Sequence, residues 1–170
     1  MDSLTMPVEY ITERLHLRAL ALDDHDFIVE LLNSPGWIRF IGNRNVNTPE
    51  DAKAYIQKVT GSANIRYWVV SLKENKAPIG VITLIKRDYL EHHDIGFAFL
   101  PQYEKRGYAL EAAKVVLDSA LVLPQHQTLL ATTLKENVSS IKLLTKLGFT
   151  FDKEIENKGE KLEVYSSTKQ

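Results

Sequence analysis

The spacing of apolar and polar residues changes several times along the chain, and each change predicts an element. Leu15 and Leu17 alternate with His16 and Arg18, the pattern of a half-buried first strand. Phe27, Ile28, Leu31 and Leu32 recur at helical spacing behind Asp23, placed as a cap, and Asn33-Ser34-Pro35-Gly36 ends that short helix. Thr48-Pro49-Glu50-Asp51 joins a capping hydroxyl, a proline at the first helical position and acids in the first turn, which predicts a helix running to Thr60 or Gly61. Residues 67–72 and 79–85 are apolar runs separated by Lys73-Glu74-Asn75-Lys76 and read as a hairpin. Ile95, Phe97 and Phe99 alternate with Gly96 and Ala98 in a further strand that Pro101 ends. From Arg106 or Gly107 onward, Ala109, Ala112, Ala113, Val116, Leu117 and Ala120 mark an amphipathic helix. A strand over 128–134 follows, then a helix over 138–147 closed by Gly148. A final hairpin pairs 149–155 with 162–167 across Asn157-Lys158-Gly159-Glu160. Strands and helices alternate without a clean βα repeat, so the expected class is α/β of the α+β kind, a mixed sheet with helices on both faces.

With 44% hydrophobic residues among 170, the chain can bury one sizeable core, and residues 1–170 are expected to form a single domain. The net charge of −1, without long runs of one sign, argues against a nucleic-acid surface. Cysteine is absent, which excludes a disulfide frame, a cysteine nucleophile and a thiolate metal site together. Met1-Asp2-Ser3-Leu4 lacks a basic region followed by an apolar core, and no stretch approaches ~18 consecutive apolar residues. Neither a leader nor a membrane span is therefore expected, and the cytoplasm is the expected location. His92 and His93 are adjacent, so on a strand they point to opposite faces and cannot chelate one metal together. No metal is expected.

The candidate chemistry centres on residues 93–110, where a strand runs through a short basic loop into a helix start. The first N–H groups of a helix have no internal partner and sit at its positive dipole end. Beside Lys105 and Arg106 they make a ready anion site, and Gly107 and Ala109 are small enough to let a pyrophosphate approach the backbone. Asn137 stands just before the later helix, in a position where asparagine serves as a cap.

The second informative segment is Lys-Glu-Asn-Val-Ser-Ser-Ile-Lys-Leu-Leu-Thr-Lys-Leu-Gly-Phe, residues 135–149. In order and spacing, the two segments together resemble the GNAT acetyltransferase superfamily, in the branch containing the ribosomal-protein N-terminal acetyltransferases. Thr12-Glu13-Arg14-Leu15-His16-Leu17-Arg18 looks like the first strand of that branch. The resemblance implies a mostly antiparallel central sheet in which the strand around Ile95 and the strand around Leu129 splay apart to admit acetyl-CoA. It implies that main-chain groups of residues 97–100, including Phe97, Phe99 and Leu100, hydrogen-bond the pantetheine arm, and that one of their N–H groups polarises the thioester oxygen. Lys105, Arg106, Gly107, Tyr108 and Ala109 would hold the pyrophosphate, Asn137 would contact the coenzyme, and Lys142 or Lys135 would meet its 3′-phosphate.

The resemblance further implies direct transfer of an acetyl group to a primary amine, without a covalent enzyme intermediate. Ser140 matches a serine that faces the thioester sulfur and is the candidate acid; the superfamily's acid tyrosine falls here on Leu144. Asp94 matches the family's acidic position and is the candidate base or holder of a water, with His93 as a possible relay. Tyr89 and Trp68 are candidates for the acceptor groove, whose specificity the loops 36–47 and 86–93 would set. The acceptor is a protein N-terminus or a small-molecule amine, and the protein a monomer or homodimer. The competing reading is a non-catalytic acyl-CoA-binding or regulatory module. It is favoured by Leu144 and by Glu104, which stands where the family's loop carries Gln or Arg.

Overall fold

The computed structural model describes residues 6–169; the Met1-Asp2-Ser3-Leu4 segment read for a leader lies outside the described residues. The element order is β1 (Tyr10–Ile11), β2 (Leu15–Ala19), α1 (His25–Leu32), α2 (Pro35–Phe40), α3 (Pro49–Thr60), β3 (Ile65–Leu72), β4 (Pro78–Ile85), β5 (Asp94–Phe99), α4 (Tyr108–Leu121), β6 (Thr128–Thr133), α5 (Val138–Lys146), β7 (Thr150–Asn157) and β8 (Glu160–Thr168). The strands form one eight-stranded mixed sheet in the order β1-β2-β3-β4-β5-β6-β8-β7. Neighbours are antiparallel throughout except β5 and β6, which are parallel and share a single register pair, Asp94 with Leu130.

Because strand side chains alternate between faces, the sheet sorts its apolar residues into two cores. On one face Trp68, Ile82, Ile95 and Leu129 lie under α4 and α5, which contribute Ala112, Val116 and Leu144. On the other, Val69, Val81 and Leu100 lie under α1, α2 and α3, which contribute Phe27, Trp37 and Ile56. Helices cover both faces, as expected from the sequence. Thr48 caps α3 by accepting from the Asp51 N–H at 3.1 Å. The last hairpin closes through Lys158 (φ 53°) and Gly159 (φ 81°), the two positive φ values of the turn that suits strand twist.

Several local expectations change. The short edge strand β1, seated on β2, has too few residues to leave a periodic signature. Asp23 does not cap α1: a 3-10 turn over Leu22–Asp24 intervenes, and the buried Asp24 carboxylate accepts from the Ala21 N–H and from both terminal nitrogens of Arg18. The chain does not stay irregular after Pro35 but forms α2, with proline at its first turn and Trp37 buried against α1 and α3. Gly96 sits in a regular stretch of β5, which pairs with β4 without a register shift. A Cβ at Gly96 would come within 2.7 Å of Thr83 Oγ1, so glycine is required there by close packing.

Candidate active site

Two hydrogen bonds orient the peptide groups of β5. The Leu100 N–H donates to Ile79 O of β4 at 2.9 Å, and the His93 carbonyl accepts from the Leu130 N–H of β6 at 2.9 Å. Because peptide groups alternate sides along a strand, Ile95, Phe97 and Phe99 direct their N–H and C=O groups toward β6. The β5–β6 ladder, however, ends at Asp94 and Leu130. Beyond that point the strands part, leaving the main-chain groups of Phe97 and Phe99 facing a wedge-shaped gap. The Phe97 and Phe99 side chains pack on the α4/α5 core. Leu100 departs from its expected role: its N–H bonds Ile79, its C=O accepts from the Tyr103 N–H, and its side chain is buried under α1 and α3.

The basic loop lies at the open end of this gap. Gly107 is the residue before α4, in the left-handed region at φ 82°, and offers no side-chain cap. The first α4 amide bonded to a helix carbonyl is that of Glu111, which donates to Gly107 O, so the Tyr108, Ala109 and Leu110 amides stand at the exposed helix start. Lys105 also adopts a left-handed conformation, φ 62°, where glycine would be at ease. Lys105 and Arg106 are both exposed. Two left-handed residues, Lys105 and Gly107, thus bracket Arg106 at the turn into α4.

A clamp that the sequence did not reveal holds this helix start. The Glu111 carboxylate accepts from the Thr12 hydroxyl, the Arg14 N–H at 2.9 Å and Arg14 Nε at 2.7 Å. Arg14 Nη1 donates to Arg106 O at 3.0 Å, and the guanidinium lies 4.4 Å from the centre of the Tyr108 ring. Burial pushes the Glu111 carboxyl up, but the bonds from Thr12 and Arg14 outweigh it and hold the pKa below the ordinary range. A Cβ on Gly107 would meet Arg14 Nη2 at 3.3 Å, a tight contact beside the clamp, while the positive φ of 82° is what favours glycine there. No spacing rule links residues about a hundred positions apart, although Arg14 falls within the strand motif quoted above.

Because β5 and β6 run in parallel, the loop after β5 and the segment after β6 emerge at the same end of the sheet. That second segment carries Asn137, whose side-chain oxygen caps α5 by accepting from the Ser140 N–H at 3.2 Å. Ser140 is half-buried, one turn before Leu144 on the same helix face. Leu144 itself is 1% exposed and belongs to the α4/α5 core, so the position expected to hold an acid is filled by packing. Lys142 and Lys135 are exposed.

Asp94 occupies the closed end, about 17 Å from Phe99 along the strand. It is buried, and its Oδ2 accepts from Arg87 Nε at 3.0 Å. Oδ1 has no hydrogen bond of ordinary geometry. Burial raises the pKa, against the smaller opposing pulls of Arg87 and the Thr132 hydroxyl. His93 packs edge-on against His126 with ring centres 4.6 Å apart, and burial lowers the pKa of both imidazoles. Trp68 is a core residue whose Nε1 donates to Pro7 O, not a groove residue, whereas Tyr89 lines a cavity of about 450 Å³ with Lys86, Arg87 and Asp88. Among the described residues no cluster of three or more metal-ligating side chains occurs, and no helix is long and apolar enough to cross a membrane.

A family model described as an acetyltransferase (GNAT) domain matches residues 14–150. The Bacillus subtilis (strain 168) protein called uncharacterized N-acetyltransferase YnaD is 31% identical over 137 residues, 81% of this chain and 79% of its own. A GNAT-family acetyltransferase from Bacillus anthracis superposes with a TM-score of 0.78 at 24% identity, covering 94% of this chain and 98% of its own. RimL, the ribosomal L7/L12 alpha-N-protein acetyltransferase solved with coenzyme A, gives 0.80 at 13% identity, covering 96% and 97%.

Proposed function

Since the chain belongs to the GNAT acetyltransferase family, we propose that it carries an acetyl group from acetyl-CoA to a primary amine, with the coenzyme lying in the gap between β5 and β6. The observation that carries this placement is the early end of the β5–β6 ladder, which turns the N–H and C=O groups of Phe97 and Phe99 toward open space. An amide-bearing arm laid there can bond them as an added strand would. At the open end, the free α4 amides with Lys105 and Arg106 suit a pyrophosphate, and Tyr108 and Ala109 would present main-chain N–H to it. Glu104, the acid of this loop, is exposed and does not contribute to holding the pyrophosphate. Acetyl-CoA supplies an activated thioester whose carbonyl carbon accepts the amine.

The remaining roles follow from placement. The amine must lose a proton, and Asp94, whose raised pKa reflects a carboxylate made more basic by burial, can hold a water or take that proton at Oδ1. His93 is a weaker candidate, because its ring is engaged with His126. The departing thiolate needs a hydrogen-bond donor, and Ser140 Oγ is the proposed one, its N–H being fixed by Asn137. Lys142 is retained as a proposed partner of the 3′-phosphate. The acceptor class is a protein N-terminus or a small-molecule amine, and a single domain acting as a monomer or homodimer in the cytoplasm completes the reading.

Titration with acetyl-CoA tests the proposal. Gly107→Glu combines an added negative charge with backbone strain at a positive φ, so Arg106→Glu at an exposed position is the cleaner variant. Wild type should bind acetyl-CoA, Arg106→Glu should bind it at least about tenfold more weakly, a loss of roughly 1.4 kcal/mol, and Ser140→Ala should bind normally while losing turnover. Equal affinities for wild type and Arg106→Glu would exclude this loop as the pyrophosphate site.

A further inference from the structure

Asp94 is held by one of its two oxygens, and by a loop residue rather than by the sheet. Transverse rows cross the sheet face under α3: Tyr67, Thr83 and Gly96 form one, and two residues along each strand Ile65, Ile85 and Asp94 form the next. The second row ends at the single register pair of β5 and β6, so Asp94 stands at the vertex from which the gap opens. Ile65, Ile85 and Arg87 line the cavity of about 450 Å³, whereas Asp94 does not. Arg87 therefore lies between that cavity and the carboxylate, bordering the one and bonding the other.

The pairing is one-sided. Arg87 Nε donates to Asp94 Oδ2 at 3.0 Å, whereas a guanidinium presenting its fork would engage both oxygens. Oδ1 is left enclosed and without a partner, although an ionised carboxylate accepts at both oxygens. Buried acceptors are ordinarily satisfied, so an unpartnered one at the vertex of the gap marks the oxygen that a substrate or a water would complete. The turn carrying Arg87 is fixed on both sides of the seam. Lys86 donates its N–H to Asn64 O at 2.8 Å and its Nζ to the Arg87 and Leu90 carbonyls, and Leu90 is buried against Leu130 of β6 and Val164 of β8.

The neighbouring ionisable groups do not duplicate this arrangement. Tyr89 lines the cavity beside Arg87, Tyr67 of β3 and Tyr55 of α3 share a hydrogen bond of 2.6 Å, and burial raises all three phenol pKa values. Thr132 of β6 is neutral, and the His93 ring packs on His126 with Lys86 acting on it. Among the described residues Arg87 is the one cation paired with Asp94.

We infer that Arg87 is a positioning residue for acetyl transfer: by occupying Oδ2 it presents Oδ1 of Asp94 to the acceptor amine. The inference rests on the reading of Asp94 as the base. The same cation opposes the burial that would otherwise neutralise the carboxylate before it can take a proton. In the transfer, the amine lone pair forms the C–N bond, the C–S bonding pair leaves with sulfur, and the proton shed by nitrogen passes to Oδ1 directly or through one water. Asp94 returns that proton to solvent, and the thiolate regains one from it.

Coenzyme A release from acetyl-CoA is followed as a function of pH, with spermidine and a Ser-Ala-Ala peptide as probe amines, for wild type, Arg87→Met, Arg87→Lys and Asp94→Asn. Acetyl-CoA titration, thermal denaturation and a carbon NMR titration of the Asp94 carboxyl, assigned by its loss in Asp94→Asn, accompany it. Arg87→Met should lower kcat at least about tenfold, leave acetyl-CoA affinity unchanged, and move both the acid limb of kcat and the carboxyl midpoint to higher pH. Arg87→Lys, a point charge in place of a planar donor, should return the midpoint toward wild type while kcat stays low. Losses that track Tm in both variants, with limb and midpoint unmoved, would make the pair structural and overturn the inference. Should Arg87→Met not fold, since it leaves a buried charge unpaired, Arg87→Lys carries the test, and a wild-type kcat in it overturns the inference. If neither probe amine is turned over, the carboxyl midpoint decides, an upward shift in Arg87→Met supporting the role and an unmoved one overturning it. Wild-type turnover by Asp94→Asn would remove the base reading and this inference together, whereas an inactive Asp94→Asn beside an active, unshifted Arg87→Met would remove this inference alone.

Discussion

Replacing Glu111 by Gln removes the charge of the α4 clamp while keeping its shape. The carboxylate accepts three hydrogen bonds, from Thr12 and from two groups of Arg14, and an amide oxygen cannot serve all three. Arg14 is 42% exposed and Glu111 19%, so the ion pair is discounted for solvent to about 0.2–1 kcal/mol. A donor left without an acceptor adds about 0.5–1.5 kcal/mol. The expected loss is about 0.7–2.5 kcal/mol, which for a chain of this size lowers Tm by about 1.5–10 °C. Because Arg14 Nη1 also holds the Arg106 carbonyl, acetyl-CoA affinity should fall as well, by less than tenfold. Thermal denaturation of wild type, Glu111→Gln, Arg14→Met and the double variant, paired with acetyl-CoA titration, measures both effects. A coupling between the two sites below about 0.3 kcal/mol would mean additive, independent positions and would refute the clamp.

Three further outcomes are expected. Leu144→Tyr should destabilise by about 1–3 kcal/mol through overpacking and should not raise turnover, since position 144 points into the core; a faster enzyme would contradict that placement. Gly96→Ala should destabilise by a similar amount, about 1–3 kcal/mol, and Thr83→Ala should restore much of the loss by removing the contacting hydroxyl; absence of rescue in denaturant titrations would place the strain elsewhere. Stability should fall as pH drops below about 6.5, because His93 and His126 are held below the ordinary value and the unfolded chain therefore binds more protons in that range. Asp94 has the opposite sign, its raised pKa making acid relieve the cost of a buried carboxylate, so His126→Gln should flatten the acid slope; an unchanged slope would remove the histidine pair as its source.

Most of the strands and longer helices were legible because their apolar period is long enough to outvote local noise. The row from Thr48 to Asp51 named its helix, and Gly107 and Gly148 fell at the positive-φ positions that ended or began elements. What was not legible depends on partners distant in sequence. Asp24 rather than Asp23 took the turn because Arg18 could reach it, and α2 formed on the burial of Trp37 more than on any periodic stripe. In the site, the basic loop and Asn137 were readable as local backbone chemistry, whereas the Thr12–Arg14–Glu111 clamp and the Tyr67–Thr83–Gly96 row exist only after strand order is known. The bonds of Leu100 N–H to Ile79 O and of Trp68 Nε1 to Pro7 O likewise depend on strand order and on a distant N-terminal segment.

The single register pair between β5 and β6 also has a mechanical meaning. The sheet consists of a five-stranded plate and a three-stranded plate riveted at Asp94 and Leu130, with α4 and α5 bridging one side. A ligand seated in the open seam acts as a splint across the joint, and at a hundredfold excess over its Kd contributes about 2.7 kcal/mol of stability. Amides of β6 should therefore slow in hydrogen exchange when the seam is filled, so that occupancy, more than sequence, sets how stiffly the two plates move as one.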